Sequence, residues 1–297
     1  MRERPTGRAD SGGCAKGDRV RHHGAVHYIE SGAGPPLVLL HAFPVDARMW
    51  HGARTLLEEQ VRVIAPDQRG LGQSALDGSS APDLADEGAT RRAAEQPGLG
   101  TVAADVLALL DSLGLSEVVL GGCSMGGYVA TAVLQAAPER VSGLLLADTK
   151  AVADNAEQRD NRLSVADRAE REGTSGWLAE NSLPGLVGRT TRNERPEVVD
   201  EIGALIDSQP AEGVAWAQRA MAARPDGTDT LRGFTGPALV VVGEEDTITP
   251  PEIARDVTAV LPDAELVTLP GAGHLSAMET PEAFANAVLP WLNRFGS

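Results

Sequence analysis

The chain has 297 residues and a formal net charge of −16, because 42 Asp and Glu residues outnumber 26 Lys and Arg residues. This length is enough for one large α/β domain or two smaller ones. An acidic surplus of this size repels the phosphate backbone, which argues against a nucleic-acid partner. No stretch approaches the roughly 20 apolar residues that a membrane span requires, which argues against a membrane partner. The first twenty residues carry no apolar signal segment, so we expect a cytoplasmic protein.

The two cysteines are Cys14, in a polar N-terminal segment, and Cys123, in an apolar run. Two free thiols are expected in a reducing compartment, although the sequence leaves a disulfide between them open. No pair of cysteines or histidines has the spacing that is typical of a structural zinc site. We therefore expect no metal ion.

The chain begins with residues 1–24, which are charged and glycine-rich and predict a flexible tail. Beyond them, short apolar runs bounded by turn residues have the length of strands, and most are apolar throughout. Such runs favour strands that are buried on both faces of a sheet. The predicted strands are Ala25–Ile29, Leu37–Leu40, Val61–Ala65, Val118–Leu120, Leu144–Ala147, Ala238–Val242 and Glu265–Leu269.

Segments with apolar residues at intervals of three and four alternate with these strands and predict amphipathic helices. Alternation of strand and helix favours an α/β fold, a doubly wound and mostly parallel sheet with helices on both faces. Residues 25–149 and 234–297 are predicted to form this core domain. The predicted helices are Met49–Gln60, Thr101–Leu113, Met125–Ala137, Pro251–Leu261 and Pro281–Phe295.

Two segments interrupt the alternation. Residues 75–100 are polar and rich in glycine and proline, which predicts a long surface loop or a small lid. Residues 150–233 contain four or five helical patterns and no strand pattern. A helical segment between two core strands predicts a cap over the edge of the sheet where the strands end.

A candidate nucleophile lies in the segment Gly122-Cys123-Ser124-Met125-Gly126, between a predicted strand and a predicted helix. A serine on a sharp strand-to-helix turn needs glycine two residues away on either side, because larger side chains would collide. The helix that follows supplies free backbone N–H groups for an oxyanion. The alternative is a tight turn with only a structural role, and the context favours Ser124 as nucleophile.

A serine nucleophile needs a base and a carboxylate that orients the base. His274 is the one histidine that follows Ser124 in the chain, and it lies on a glycine-rich loop after a predicted strand. Asp246 also follows a predicted strand and is the favoured carboxylate. Asp148 and Glu245 have comparable positions at strand ends and stay open as alternatives.

The loop after the predicted strand Leu37–Leu40 begins with His41. We expect the oxyanion to be bound by the backbone N–H groups of Phe43 and Met125, since Pro44 has none to offer. His41 is expected to brace this loop rather than to transfer protons.

Together these motifs resemble the α/β-hydrolase superfamily. The resemblance extends from about residue 25 to 295 and is closest to 3-oxoadipate enol-lactonases, small-molecule esterases and cofactor-free haloperoxidases. It implies an eight-stranded sheet, a helical cap after the sixth core strand, and the roles given above for Ser124, Asp246, His274, Phe43 and Met125. Two features depart from it, namely Ala42 in place of the usual glycine and a longer 75–100 segment. The motifs are HAFPVDARMW, DQRGLGQS, GGCSMGGYVA, GEEDTITP and GAGHLSAMETPEAF.

The resemblance implies hydrolysis of an ester or lactone in a small, largely apolar molecule, through an acyl-enzyme and without a cofactor. Trp177, Trp216 and Met221 are candidates for the substrate pocket, with helix packing as the alternative. A ligand-binding receptor, a lyase or decarboxylase, and a carbon–carbon bond hydrolase are the rival functions. The expected partner is a small-molecule substrate, and a homodimer stays open.

Overall fold

The computed structural model describes residues 19–24, 26–76 and 97–296. Within them, eight strands form a single sheet in the order β1-β2-β4-β3-β5-β6-β7-β8. Strand β2 pairs antiparallel with β1 and β4, and all other neighbours are parallel. The strands are β1 Arg19–His23, β2 Val26–Ser31, β3 Pro36–Leu40, β4 Arg62–Pro66, β5 Val118–Cys123, β6 Val141–Ala147, β7 Ala238–Gly243 and β8 Ala264–Leu269.

Helices cover both faces of this sheet. Strands such as β5 and β7 are therefore buried along their whole length. Helix α1 (His51–Leu57) packs against α12 (Pro281–Leu292), and α2 (Leu99–Ser112) packs against α3 (Met125–Ala136). The predicted fold class, a doubly wound and mostly parallel sheet, is therefore confirmed. The helices of the core are α1 His51–Leu57, α2 Leu99–Ser112, α3 Met125–Ala136, α10 Pro251–Val260, α11 Ser276–Glu279 and α12 Pro281–Leu292.

Strand β1 corrects the prediction of a flexible tail over residues 1–24. Residues 19–23 pair with β2 in antiparallel register, from Arg19 opposite Glu30 to His23 opposite Val26. The segment Arg-Val-Arg-His-His lacks the apolar alternation of a half-buried strand, and Val20 is more than half exposed. This strand is held by backbone hydrogen bonds to β2 at the edge of the sheet, and a hydropathy pattern does not detect such pairing. Residues 1–18 of the predicted tail lie outside the described residues.

The chain between β6 and β7 forms helices and no strand over its described length, as its pattern predicts. Helix α4 (Ala156–Glu172) packs along α8 (Ala211–Ala222), and α5 (Trp177–Leu186) packs along α7 (Pro196–Asp207). Most of the predicted 75–100 loop, residues 77–96, lies outside the described residues, and α2 already begins at Leu99. The inserted helices, named here the cap segment, are α4 Ala156–Glu172, α5 Trp177–Leu186, α6 Arg189–Glu194, α7 Pro196–Asp207, α8 Ala211–Ala222 and α9 Thr228–Gly233.

Hydrogen bonds hold the cap segment over the carboxyl ends of the strands. Leu186 O at the end of α5 accepts from the backbone N–H of His274, at 3.0 Å. Gln209 Nε2 donates to Asp46 Oδ2 at 2.8 Å, and its Oε1 accepts from the N–H of Gly72 at 2.9 Å. This edge of the sheet therefore meets the cap segment at several separate points. None of the helices in the part of the chain that the structure describes is long and apolar enough to span a membrane.

Candidate active site

Ser124 occupies a sharp turn between the end of β5 and the start of α3. Its φ of 52° and ψ of −112° lie in a region that a non-glycine residue adopts only at a cost, on the order of 1–3 kcal/mol. A Cβ atom on Gly122 would lie 2.2 Å from the carbonyl carbon of Gly126, and one on Gly126 would lie 2.1 Å from Leu40 O. Both positions therefore require glycine, as the motif predicts.

The end of β6 holds this turn in place. The Ser124 N–H donates to Ala147 O at 2.9 Å, and Thr149 Oγ1 donates to Ser124 O at 2.8 Å. The backbone of Ser124 is thus fixed on both sides, and its side chain lies at the carboxyl edge of the sheet. These two hydrogen bonds hold Ser124 in its strained backbone conformation.

The three residues predicted as a catalytic triad lie in one hydrogen-bonded chain. His274 Nε2 lies 2.7 Å from Ser124 Oγ, and His274 Nδ1 lies 2.8 Å from Asp246 Oδ2. A neutral imidazole in this network carries its proton on Nδ1, which leaves Nε2 free to accept the serine proton. The residues come from loops after β5, β7 and β8, and all are buried, with Ser124 9% exposed.

Asp246 makes further hydrogen bonds that fix its carboxylate. Oδ1 accepts from the N–H groups of Ile248 and Thr249 at 2.8 and 2.9 Å, and Oδ2 accepts from Thr249 Oγ1 at 2.8 Å. Burial alone would raise the pKa of Asp246, but the charge and hydrogen bond of His274 and the Thr249 donors lower it below its usual value. The carboxylate is therefore ionised at neutral pH.

The pKa of His274 is shifted in the opposite direction to that of Asp246. Burial alone would lower the pKa of the imidazole, but the charge and hydrogen bond of Asp246 raise it above its usual value. The site therefore stabilises an imidazolium, which is the form that a general base takes after it accepts a proton.

The alternative carboxylates, Asp148 and Glu245, have other partners. Asp148 Oδ1 accepts from the N–H of Gly243 at 2.8 Å, and Oδ2 accepts from Ser276 Oγ at 2.5 Å. Burial, and then the charge of Asp246, raise the pKa of Asp148 to about 8. Glu245 accepts from the N–H and Oγ1 of Thr190, in the cap segment. Neither residue has a hydrogen bond to His274 in the structure, so the geometry selects Asp246.

The sequence predicts Phe43 and Met125 as the two oxyanion donors. Met125 is the first residue of α3, and Phe43 lines the same cavity as Ser124 and His274. Among the described residues, neither the Phe43 N–H nor the Met125 N–H has a backbone acceptor. Their role as oxyanion donors stays a prediction, with which the lack of a backbone acceptor is consistent.

His41 fixes the loop that carries Phe43. Its Nε2 accepts from the N–H of Gln68 at 2.8 Å, and its Nδ1 lies 2.8 Å from Ala42 O. Burial lowers the pKa of His41, although nearby Asp67 and a backbone hydrogen bond act against it. The neutral ring is held between two backbone groups and has no hydrogen bond to Ser124, Asp246 or His274, which agrees with the bracing role expected from the sequence.

Glu279 holds the loop of His274 and was not anticipated from the sequence. Its Oε1 accepts from the N–H groups of Gly273 and Leu275 at 2.9 and 3.3 Å, and its Oε2 accepts from Gly188 at 2.8 Å. One buried carboxylate thus binds the peptides on both sides of His274 and the cap segment. In the sequence, Glu279 is marked only as an acidic residue within an otherwise apolar helical pattern. Hydropathy alone does not distinguish such a buried carboxylate from one that faces solvent.

A cavity of about 560 Å³ opens over Ser124 and His274. Of the predicted pocket residues, Trp177 and Met221 line it and Trp216 does not. On α8, Gln218 and Met221 face the cavity, and Trp216 lies roughly 140–200° around the helix from them. The prediction for Trp216 was therefore wrong, because an amphipathic pattern shows that a face is buried but not what covers it.

One wall of this cavity is polar, although the substrate expected from the sequence is largely apolar. Its polar side chains come from the cap segment, where their spacing resembles that of an ordinary solvent-facing helix surface. Within residues 19–24, 26–76 and 97–296, no group of His, Cys, Asp and Glu side chains is arranged to hold a metal ion. The polar residues on the wall are Asn161, Arg162, Asn181, Ser182 and Gln218.

Comparison with known proteins gives the family. A family model for the alpha/beta hydrolase fold matches residues 35–281, and the chain belongs to that family. It is 30% identical over 272 residues to BpoC of Mycobacterium tuberculosis, which carries the name of a non-heme bromoperoxidase. That match covers 88% of this chain and 95% of BpoC.

Two solved structures are also similar. A thermophilic esterase from Thermogutta terrifontis, solved with malate bound, has a TM-score of 0.83 and 40% identity, with 92% of this chain and 94% of the esterase covered. The enol-lactonase from Burkholderia xenovorans LB400 has a TM-score of 0.77 and 27% identity, with 90% and 96% covered. The family and these relatives support hydrolase activity of the α/β-hydrolase type.

Proposed function

We propose that this protein is a serine hydrolase that cleaves an ester or lactone bond in a small molecule through an acyl-enzyme intermediate. The observation that carries the proposal is the hydrogen-bonded chain Ser124–His274–Asp246, with distances of 2.7 and 2.8 Å, at the floor of a cavity. Serine next to a base, with the base oriented by a carboxylate, is the arrangement of nucleophilic acyl transfer.

The proposed reaction begins when Ser124 Oγ attacks the substrate carbonyl carbon and His274 Nε2 takes the hydroxyl proton. The carbonyl oxygen becomes an oxyanion, which the N–H groups of Met125 and Phe43 bind. The tetrahedral intermediate collapses as His274 protonates the departing alcohol oxygen. A water molecule, deprotonated by His274, then attacks the acyl-enzyme and releases the acid and free Ser124.

The cavity supports a small substrate with an apolar part. Its volume of about 560 Å³ lies within the usual range of small-molecule sites. Phe43, Leu178 and Ile248 are among its apolar residues, and Ile248 is half exposed at 50%. The residues of the polar wall come from α4, α5 and α8, so the expectation of a largely apolar substrate is retained for one part of the molecule only.

Turnover of a panel of small esters and lactones tests the proposal. Pre-steady-state kinetics should show a burst of alcohol release as the acyl-enzyme forms. Continued turnover should follow, because hydrolysis of the acyl-enzyme regenerates Ser124. A single burst without turnover would instead match a ligand-binding member of the fold, and no release at all would reject ester chemistry.

The raised pKa of His274 predicts the pH dependence of the reaction. Because the neutral imidazole is the base, kcat/KM for an uncharged ester should fall as pH drops through the pKa of His274. We expect the midpoint of this acid limb to lie above about 6.5, the pKa of an unperturbed histidine side chain. Rates measured between about pH 5 and 9 check this. A midpoint clearly below that of free imidazole would contradict the electrostatic role given to Asp246.

A further inference from the structure

One buried carboxylate beside the catalytic cavity is surrounded by three basic side chains. Asp154 Oδ2 lies 2.5 Å from Arg162 Nε and 2.8 Å from Arg224 Nη1, and Oδ1 lies 2.9 Å from Lys150 Nζ. The Asp154 side chain is only 1% exposed. Burial would raise its pKa, but the three cations together hold it far below its usual value. The carboxylate is therefore ionised at neutral pH, and the three cations that surround it outnumber it.

Arg162 is the member of this cluster that lines the catalytic cavity. Its Nη1 donates to Gln218 Oε1 and to Met221 Sδ, each at 3.2 Å. Within the described part of the chain, its Nη2 has no hydrogen-bond partner, and its side chain is 20% exposed. The guanidinium is therefore held by Asp154 through Nε while part of its donor fork stays open.

The rest of the cavity suits an anion. No Asp or Glu side chain from the described residues lines it, and the amides of Asn161 and Asn181 share the wall with Arg162. Arg224 lies 4.0 Å from the centre of the Tyr128 ring, and Tyr128 lines the cavity one helical turn beyond Ser124. The excess positive charge of the cluster thus reaches the same cavity as the nucleophile.

We propose that Arg162 binds a carboxylate group on the substrate, so that the preferred substrates are esters or lactones that carry a second, ionised acid group. The Nη2 group of Arg162 carries two N–H donors, which can form charge-assisted hydrogen bonds to a carboxylate. This inference rests on the proposed hydrolytic function of Ser124. It assigns Arg162 as a specificity-determining residue.

Matched pairs of esters test this preference. Monoethyl glutarate and ethyl pentanoate differ by a carboxylate in place of a methyl group on the acyl side. Butanoyloxyacetate and ethyl butanoate differ in the same way on the alcohol side. We expect the protein to favour the anionic ester in at least one pair, measured as a ratio of kcat/KM values. Equal or lower kcat/KM for the anionic ester in both pairs would overturn the inference.

Arg162→Gln should lower that selectivity ratio by about 10- to 100-fold, the range expected when a hydrogen bond to a charged group is lost. Arg162→Lys keeps the charge without the planar fork and should give an intermediate ratio. Arg171→Gln is the matched control, because Arg171 lies on the same helix with its side chain 67% exposed. It should leave the ratio unchanged. An unchanged ratio in Arg162→Gln would overturn the role of Arg162.

A binding measurement separates the two proposals. Titration calorimetry should detect glutarate but not uncharged glutaramide binding to the wild-type protein, and Arg162→Gln should weaken the binding. If no ester is hydrolysed but glutarate binds in this way, the hydrolase proposal fails and the carboxylate site stands. If esters are hydrolysed and glutarate does not bind, the carboxylate site fails alone. The wild-type titration also decides the matter if the variants do not fold.

Discussion

Replacing Ser124 with alanine should reduce ester turnover by about 10⁵- to 10⁶-fold, because the group that forms the covalent bond is removed. The residual rate would come from the oxyanion donors and from binding alone. Alanine meets the same unfavourable φ of 52° as serine, so we expect little change in the thermal midpoint. Steady-state rates and a melting curve on the same preparation check both expectations.

Ser182→Ala is the matched control for this change. Ser182 lines the same cavity but has no contact with His274 in the structure. Its substitution should alter kcat by less than about threefold, the effect of a surface-like change. Undiminished turnover in Ser124→Ala, or an equal loss in Ser182→Ala, would reject Ser124 as nucleophile.

Replacing Asp246 with asparagine should reduce kcat by about 10⁴-fold, the loss seen where such a carboxylate fixes the tautomer of its histidine. The amide removes the charge that raises the pKa of His274, and its NH₂ group can turn toward Nδ1. The Thr249 and Ile248 donors keep the side chain in place. Kinetics should show a large fall in kcat and an acid limb at lower pH.

Asp148→Asn provides the control for the carboxylate assignment. With a pKa raised to about 8, Asp148 carries a proton for much of the time at neutral pH, so the amide resembles its protonated form. Its partners are Gly243 and Ser276 rather than His274. We expect a loss in kcat below about tenfold. A larger loss in Asp148→Asn than in Asp246→Asn would transfer the orienting role to Asp148.

The positions of Ser124 and His274 could be predicted from sequence because local rules fix them. A glycine-flanked serine between strand and helix defines the turn, and loops after parallel strands converge on one edge of the sheet. The choice between Asp246, Asp148 and Glu245 could not be settled in this way. All three follow strands that end at that edge, and only the hydrogen bonds of the folded chain distinguish them.

Other features depend on contacts that no local pattern contains. Strand β1 is ordered by backbone pairing with β2, although its side chains have no core-facing alternation. Trp216 and Met221 lie on one buried helix, but only Met221 lines the cavity. Arg162 belongs to a highly charged helix, and its role depends on Asp154, Arg224 and Lys150, which approach it in the folded chain.

Active-site labelling tests the central claim most directly. A fluorophosphonate reacts much faster with a serine whose hydroxyl is activated by a neighbouring base than with an ordinary serine. We predict that the wild-type protein gains the mass of one phosphonyl group, that peptide mapping places it on Ser124, and that Asp246→Asn slows the reaction. No adduct on the wild-type protein, or an adduct on a serine other than Ser124, would contradict the account.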